Sequence, residues 1–428
     1  MIGLKGRNRL FGSATAAHLT MVLELAPGDR QGRPGDHGTR VPAMAAGQAS
    51  TKRLWRGVPK LRLLLGAGSV LCIGALLTLP SFAPWLSRAE YWTADWRTAF
   101  LSYRAPAQHP RIAIVAINDS TLKDYASSPI DRGLLARIIT AIDAAGAKAI
   151  AVDVFFLKKT ESDKDAALLA AIRGATASII LGAIDERGAL EPFQRQFQTS
   201  FLTEAGRPAG YLNLRHESDD VVRFTASPAP NSAFPKSFAR LLMEADGAVS
   251  IDDAGKPIPW RLQPADGAET FLKIPAQDLL AAPASLERLK DRLVLLGGDF
   301  PLRDRHRVPL TVRGGDTMAG VTIHAHILAG LLEPSKQISE LSPHAVQIVL
   351  ALVAVLGSLL GWSLWSTSVV NFLGWSFASA VMVGIDAFCF VGLGLLLPFT
   401  LALVAWVAGL TAGRSLHFVI ESLNANRR

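Results

Sequence analysis

Apolar residues fall along this chain in two regimes. From Leu63 to Leu86 there is no charged residue in 24 positions, and from Ala345 to Gly413 only Asp386 is charged in 69. A helix of about 20 apolar residues crosses a bilayer. The first run therefore predicts one span. The second is broken by the polar pieces Trp362–Asn371 and Gly392–Gly394 and predicts three, near 346–363, 369–389 and 394–413. Between the two runs the apolar stretches shorten and alternate with polar ones, as strands and amphipathic helices do.

That polar body opens on RIAIVAINDSTLKDYASSPIDRGLLARIITAIDAAGAKAIAVDVFF, residues 111–156. The β-branched run Ile112–Ile117 predicts a strand covered on both faces. Asp119-Ser120 supplies turn or cap chemistry. Leu134, Leu135, Ile138, Ile139 and Ile142 recur at helical spacing, and Gly146 stands where a helix ends. A second buried strand, Ala149–Phe156, carries one charge, Asp153. Strand, helix and strand of these lengths predict a βαβ unit in a parallel sheet. Further helices are expected at Asp163–Arg173, at Pro235–Ala245 with Pro235 in its first turn, and at Val321–Leu332. Further strands are expected at Ser178–Ala183, Gly210–Leu214, Val221–Ala226, Glu269–Ile274 and Arg292–Leu296. The stretch Arg187–Thr203 predicts an irregular loop. The expected fold class is α/β, a mixed, mostly parallel sheet with flanking helices, plus four transmembrane α-helices.

Charge assigns sides to these pieces. The net charge of +8 equals that of residues 1–62, with eleven Lys/Arg and three Asp/Glu. Basic residues beside apolar spans mark the cytoplasmic side. Four spans return Arg414, Arg427 and Arg428 to that side. No basic, aromatic-studded face exists, which excludes a nucleic-acid partner. Cys72 and Cys389 both lie in apolar runs and offer neither a disulfide framework nor metal spacing. The expected organisation is a disordered basic segment 1–60, a span 61–86, an extracytoplasmic domain 87–343, three spans 344–413 and a cytoplasmic tail 414–428. Within the first part, Met44 is an alternative start. A cleaved signal peptide ending at Ser81-Phe82-Ala83 is disfavoured by Pro84.

Several pieces of the body resemble the CHASE domain of the second type, CHASE2, a sensory module found outside the membrane in bacterial cyclases, histidine kinases and Ser/Thr kinases. They are Asp95-Trp96-Arg97, the strand and turn IVAINDSTL, Arg132, GAKAIAVDVFF, Asp165 with the following Ala-Leu pair, and Asp219-Asp220-Val221-Val222-Arg223. Phe234-Pro235-Lys236-Ser237-Phe238, LKDRLVLLGG, Asp304, Val308-Pro309 and Gly320-Val321-x-Ile323-His324-Ala325-His326 continue the likeness in order. Two departures stand out: Ser128-Pro129-Ile130 replaces the usual Trp-Pro, and Asp220 replaces a glycine. The resemblance implies a multi-pass protein of the bacterial inner membrane with a periplasmic binding module, no cofactor and no catalysis. It also implies a small-molecule or envelope signal, a cytoplasmic cyclase or kinase partner and a homodimer. Such proteins continue into a cytoplasmic output domain, whereas this sequence stops about 15 residues after the last span. The expectation is a sensor that signals through a separate partner.

Candidate site residues come from both sources. Asp119, Arg132 and Asp153 belong to the predicted carboxyl edge of the sheet, where open α/β sheets bind ligands. The resembling motifs add Asp219, Arg223 and Asp304 as ligand-binding candidates. For Arg132 the alternative is an internal pair with an Asp that pins a helix. His324 and His326, two apart on a helix, face different ways and cannot chelate one metal together; on a strand they would share a face. Arg303-Asp304-Arg305-His306-Arg307 fits a solvated charge run better than an anion cradle. The enzyme alternative is a membrane-anchored hydrolase or phosphatase using Asp119 and Asp153 with a divalent cation; a third reading is a degenerate receptor remnant. Asp386, charged within a span, is a functional candidate by its position alone.

Overall fold

Six parallel strands carry the body. The computed structural model describes residues 68, 83–123, 125, 129–314, 316–363 and 369–425. The expected segment 1–60 and nearly all of the span 61–86 lie outside these residues. Helix α1 (Ala83–Leu101) starts at the far end of that span.

The strands are β1 (Ile112–Ile117), β2 (Ala149–Asp153), β3 (Ser178–Ala183), β4 (Ala209–Tyr211), β5 (Leu272–Pro275) and β6 (Leu293–Gly298). They lie in the order β4-β3-β2-β6-β1-β5, each neighbouring pair parallel. Successive side chains of a strand point to opposite faces, and both faces here are covered. Ala113, Val115 and Ile117 enter one apolar cluster, with α2 (Arg132–Ala144), α3 (Ser162–Gly174) and α4 (Pro192–Ala205). Ile112, Ile114 and Ala116 enter the other, with α5 (Phe238–Ala245) and α7 (Gly320–Leu332); a short helix, α6 (Ala276–Ala281), follows β5 and closes the first layer. This two-sided cover explains why the strands are apolar runs without alternation.

The predicted βαβ unit is present in the parallel sheet, with β6 lying between its two strands. Three expectations are corrected. The stretch expected as an irregular loop contains α4. Its buried face holds Gln198 among Phe201, Leu202 and Ala205, and the Gln198 amide bonds both the N–H and the C=O of Ile184 at 2.9 Å. Helix α5 begins later than Pro235, because Ser237 caps it by accepting from Arg240 N at 3.1 Å. The turn after β1 is capped by Asn118, which accepts from Thr121 N at 3.0 Å, rather than by Asp119-Ser120. Gly146 ends α2 with φ 74°, as its position foretells.

Three helices, α8 (Pro343–Ser363), α9 (Val369–Leu393) and α10 (Phe399–Ala425), are long and apolar enough to cross a membrane. α8 and α10 pack through small residues. A Cβ on Gly357 would lie 2.7 Å from the Trp406 carbonyl, and Gly361, Gly409 and Gly413 are crowded in the same way by the facing backbone. Close backbone approach of this kind holds apolar helices together where lipid removes the hydrophobic drive. α10 runs on to Ala425, so the segment expected as a tail from 414 is the end of that helix.

Candidate functional site

Helix α1 joins the body to the membrane helices, and two of its charges, two residues apart, reach in different directions. Asp95 faces the body. Its carboxylate takes a forked pair of hydrogen bonds from Arg223, at 2.8 Å from Nε and 2.7 Å from Nη2. Asp219 takes a second fork, at 2.7 Å from Nη1 and 2.6 Å from Nη2. The guanidinium lies 4.5 Å from the ring centroid of Tyr91, whose hydroxyl donates to Glu217 at 3.1 Å. A planar fork between two carboxylates and an aromatic face suits arginine and not lysine. The bond from Arg223 holds the Asp219 carboxyl below the usual range, against the opposing effect of partial burial.

Arg97 faces the bundle. Its Nη1 donates to Asp386 of α9 at 2.5 Å and to the Leu397 carbonyl at 2.9 Å, and its Nη2 donates to Glu90 at 3.2 Å. Glu90 in turn accepts from the backbone N–H of Thr400 at 2.9 Å and of Leu401 at 3.3 Å. These amides open α10 and would otherwise lack acceptors, and a carboxylate there also meets the positive end of the helix dipole. Asp386 is 6 % exposed, so a span carries a buried acid with its countercharge supplied from α1.

A cavity of about 400 Å³, open to solvent on one side, lies between these contacts. Tyr91 and Asp95 of α1, Trp260 of the body, Val346 of α8 and the Leu396–Pro398 loop before α10 contribute to its walls. Its lining is mostly apolar, and its size falls within the range of small-molecule pockets.

The carboxyl edge of the sheet is built differently. Asp153 ends β2 opposite Gly297 of β6. Its Oδ2 is buried with no hydrogen-bond partner among the described residues. Burial, reinforced by the nearby Asp304 charge, pushes its carboxyl up to about 8. Asp304 adopts φ 51° and accepts from Gly320 N through its carbonyl at the start of α7. Burial opposes its charge, but the His306 bond at 2.9 Å and the fields of His306 and His324 hold its carboxyl below the usual range. Arg132 is 1 % exposed and meets neither Asp119 nor Asp153. It lies 4.5 Å over the Phe156 ring, with Asp165 of α3 at 3.7 Å. Asp119 is exposed. His324 packs edge-on against Phe238 and His326 against Phe271, on different sides of α7. Among the described residues no three His, Cys, Asp or Glu side chains form a metal-sized group. The structure thus brings together Asp219 with Arg223, and Asp153 with Asp304, and leaves Asp119 and Arg132 apart from both.

The family model for the CHASE2 domain matches residues 69–367, well over half of the chain. The chain belongs to the CHASE2 family. No match is found among curated proteins or among solved structures. CHASE2 is an extracellular sensory domain family, and this member combines it with three helices fit to cross a membrane. The CHASE2 match runs past the body and through α8, so the family's unit includes the junction. Its motif residues now have positions. Asp95-Trp96-Arg97 is the two-way link of α1. In the Asp219–Arg223 motif, Asp220 takes φ 62°, the left-handed conformation that explains the glycine resembling members place there. Sequence reasoning missed Glu90 and Trp260. Glu90 carried one usable signal, an acid placed at i and i+7 with Arg97 on one helix face.

Proposed function

We propose that this CHASE2 protein is a membrane-anchored sensor without catalytic activity of its own, in which α1 carries the ligand state of the body into the membrane bundle and so to a separate cytoplasmic partner of the cyclase or kinase class. The observation that supports this reading is the double attachment of α1, by Asp95 to Arg223 in the body and by Arg97 to Asp386 and α10 in the bundle. Ligand binding that moves Arg223 relative to the sheet must move α1, and α1 cannot shift without disturbing the start of α10. Two sites are coupled when one element takes part in both and its equilibrium is biased by each. Catalysis is no part of the proposal, because the two acids the hydrolase reading would use, the exposed Asp119 and Asp153 with its buried Oδ2, belong to no cluster of three possible metal ligands among the described residues.

The test is cysteine cross-linking in native membranes between α1 and α9, with pairs placed around Arg97 and Asp386. Arg97→Ala and Asp386→Ala should each lower the cross-linking yield, and the swapped pair Arg97→Asp with Asp386→Arg should restore part of it. Equal yields in all variants would remove the link on which the reading depends. Reporters fused after Glu333 and Arg428 check the topology, outside for the first and cytoplasmic for the second.

A further inference from the structure

The cavity beside α1 carries a chemistry that narrows what it can hold. Arg223, its one basic lining residue, has all three guanidinium nitrogens committed to Asp95 and Asp219. An anionic ligand would have to displace a carboxylate from that fork. The other charged lining residues are acids: Glu90, Asp95 and Glu340. Glu90 and Asp95 are occupied by Arg97 and Arg223. The Glu340 side chain lines the cavity, remains solvent-exposed, and has neither a hydrogen bond nor an ion pair among the described residues. Partial burial, opposed by Arg215 and reinforced by Glu217 and Glu90, holds its carboxyl above the usual range. Four aromatic rings, Tyr91, Phe224, Trp260 and Phe390, complete the wall. Arg223 and Arg215 already lie over the Tyr91 and Phe224 rings, which leaves Trp260 and Phe390 as the aromatic surface that, with an unmatched carboxylate, attracts a cation and an apolar body together.

We propose that this cavity binds an apolar organic ammonium, its charge against Glu340 and its body among the aromatic side chains. Val346 in the first turn of α8 and Leu396–Pro398 before α10 place the cavity at the end of the membrane helices, so an outer-leaflet lipid headgroup and a soluble amine share the required chemistry. The inference builds on the sensor reading only in taking this cavity as the ligand site. Its outcome is independent of whether α1 transmits the signal.

The experiment uses the full chain in phosphatidylglycerol nanodiscs, titrated with decyltrimethylammonium below its micelle concentration and, in parallel, with decanol. Wild type should bind the ammonium saturably and in preference to the alcohol. Glu340→Gln should weaken it roughly tenfold, and Val346→Trp, which fills the space, should abolish it. Both substitutions lie at the cavity wall, and unchanged thermal unfolding without ligand verifies that each variant is folded. Replacing part of the lipid by phosphatidylethanolamine separates the sources. Competition with the probe identifies a lipid headgroup, and undiminished binding identifies a soluble amine. Decanol binding as tightly as the ammonium, or both variants binding like wild type, would overturn the proposal. Direct binding is measured here, so a failed cross-linking test would leave this result standing, and the reverse also holds.

Discussion

The junction around α1 and the carboxyl edge of the sheet both gather acids, yet they treat charge in opposite ways. At the junction the buried charges of Asp95, Arg223, Arg97 and Asp386 each meet a countercharge from a different part of the chain. Arg223 bridges α1 and the body, and Arg97 bridges α1 and the bundle. At the sheet edge Asp153 and Arg132 keep buried polar atoms without a hydrogen bond among the described residues. Burial pushes the Asp153 carboxyl up to about 8, and Arg132 lies over Phe156, which itself stacks on Phe201. Space differs too. The junction encloses about 400 Å³, whereas a Cβ added at Gly297, on the edge, would lie 2.8 Å from Val321 and 3.0 Å from Asp153. The edge where open α/β sheets ordinarily bind ligands is here a packed part of the core. The polar groups connected across separate parts of the chain lie where the body meets the membrane helices.

Substitutions at four positions break or sharpen this contrast. Arg223→Ala should have the largest effect, about 3–5 kcal/mol of stability, because it leaves the buried Asp95 and the half-buried Asp219 without a partner. Arg223→Lys, which cannot fork between both acids, should fall between it and wild type; chemical denaturation of the detergent-solubilised chain measures both. Gly297→Ala should cost about 1–3 kcal/mol, since neither Val321 nor the Asp153 Cβ can yield without moving the core. A neutral outcome there would mean that the sheet edge is looser than its packing indicates.

Asp153→Asn reports the charge state of the edge through pH. The folded-state pKa of Asp153 is raised to about 8 from 3.8, so the folded protein holds a proton that the unfolded chain has released. That contribution is complete below about pH 4 and declines as pH rises towards 8. The asparagine variant, which cannot lose a proton, should therefore gain stability relative to wild type across that interval, by on the order of a few kcal/mol. Parallel unfolding midpoints of the two proteins between pH 4 and 8 would show Asp153 ionised throughout. The smallest effect belongs to Asp220→Gly. Relief of a left-handed backbone offsets the loss of the exposed bond to His216, and a gain of up to about 1 kcal/mol is expected by the same denaturation.

How much was legible in the sequence depended on how local the cause was. β1, α2 and β2 followed from spacing within 46 residues, because burial on both faces of a strand and on one face of a helix leaves its own period. Helix α4 was lost because Gln198 interrupts its apolar stripe to serve the backbone of Ile184, a partner that only the fold supplies. Strand order was lost for a similar reason. β6 enters between β1 and β2 from far along the chain, and its sequence contains no record of its neighbours. At the candidate site, Asp219 and Arg223 are four residues apart and were named together. Arg97 and Asp386 are separated by 289 positions, so the charge inside a span was visible while its partner was not. Asp119 and Arg132 were chosen from their place at a strand end and a helix start. Whether a side chain there turns towards a ligand or into the core is decided by packing from α3 and α4.

The central claim is that α1 makes the body and the bundle respond as one, and amide hydrogen exchange on the full chain in nanodiscs tests it most directly. Arg223→Lys alters the body side of α1, and none of the Arg223 bonds goes to Glu90 or to the amides of Thr400 and Leu401 that Glu90 holds. The account predicts that these two amides exchange at least about tenfold faster in the variant, while the amides of β1 keep their protection. Unchanged exchange at Thr400 and Leu401, with the Arg223 contacts demonstrably weakened, would show that the bundle does not sense the body through this helix.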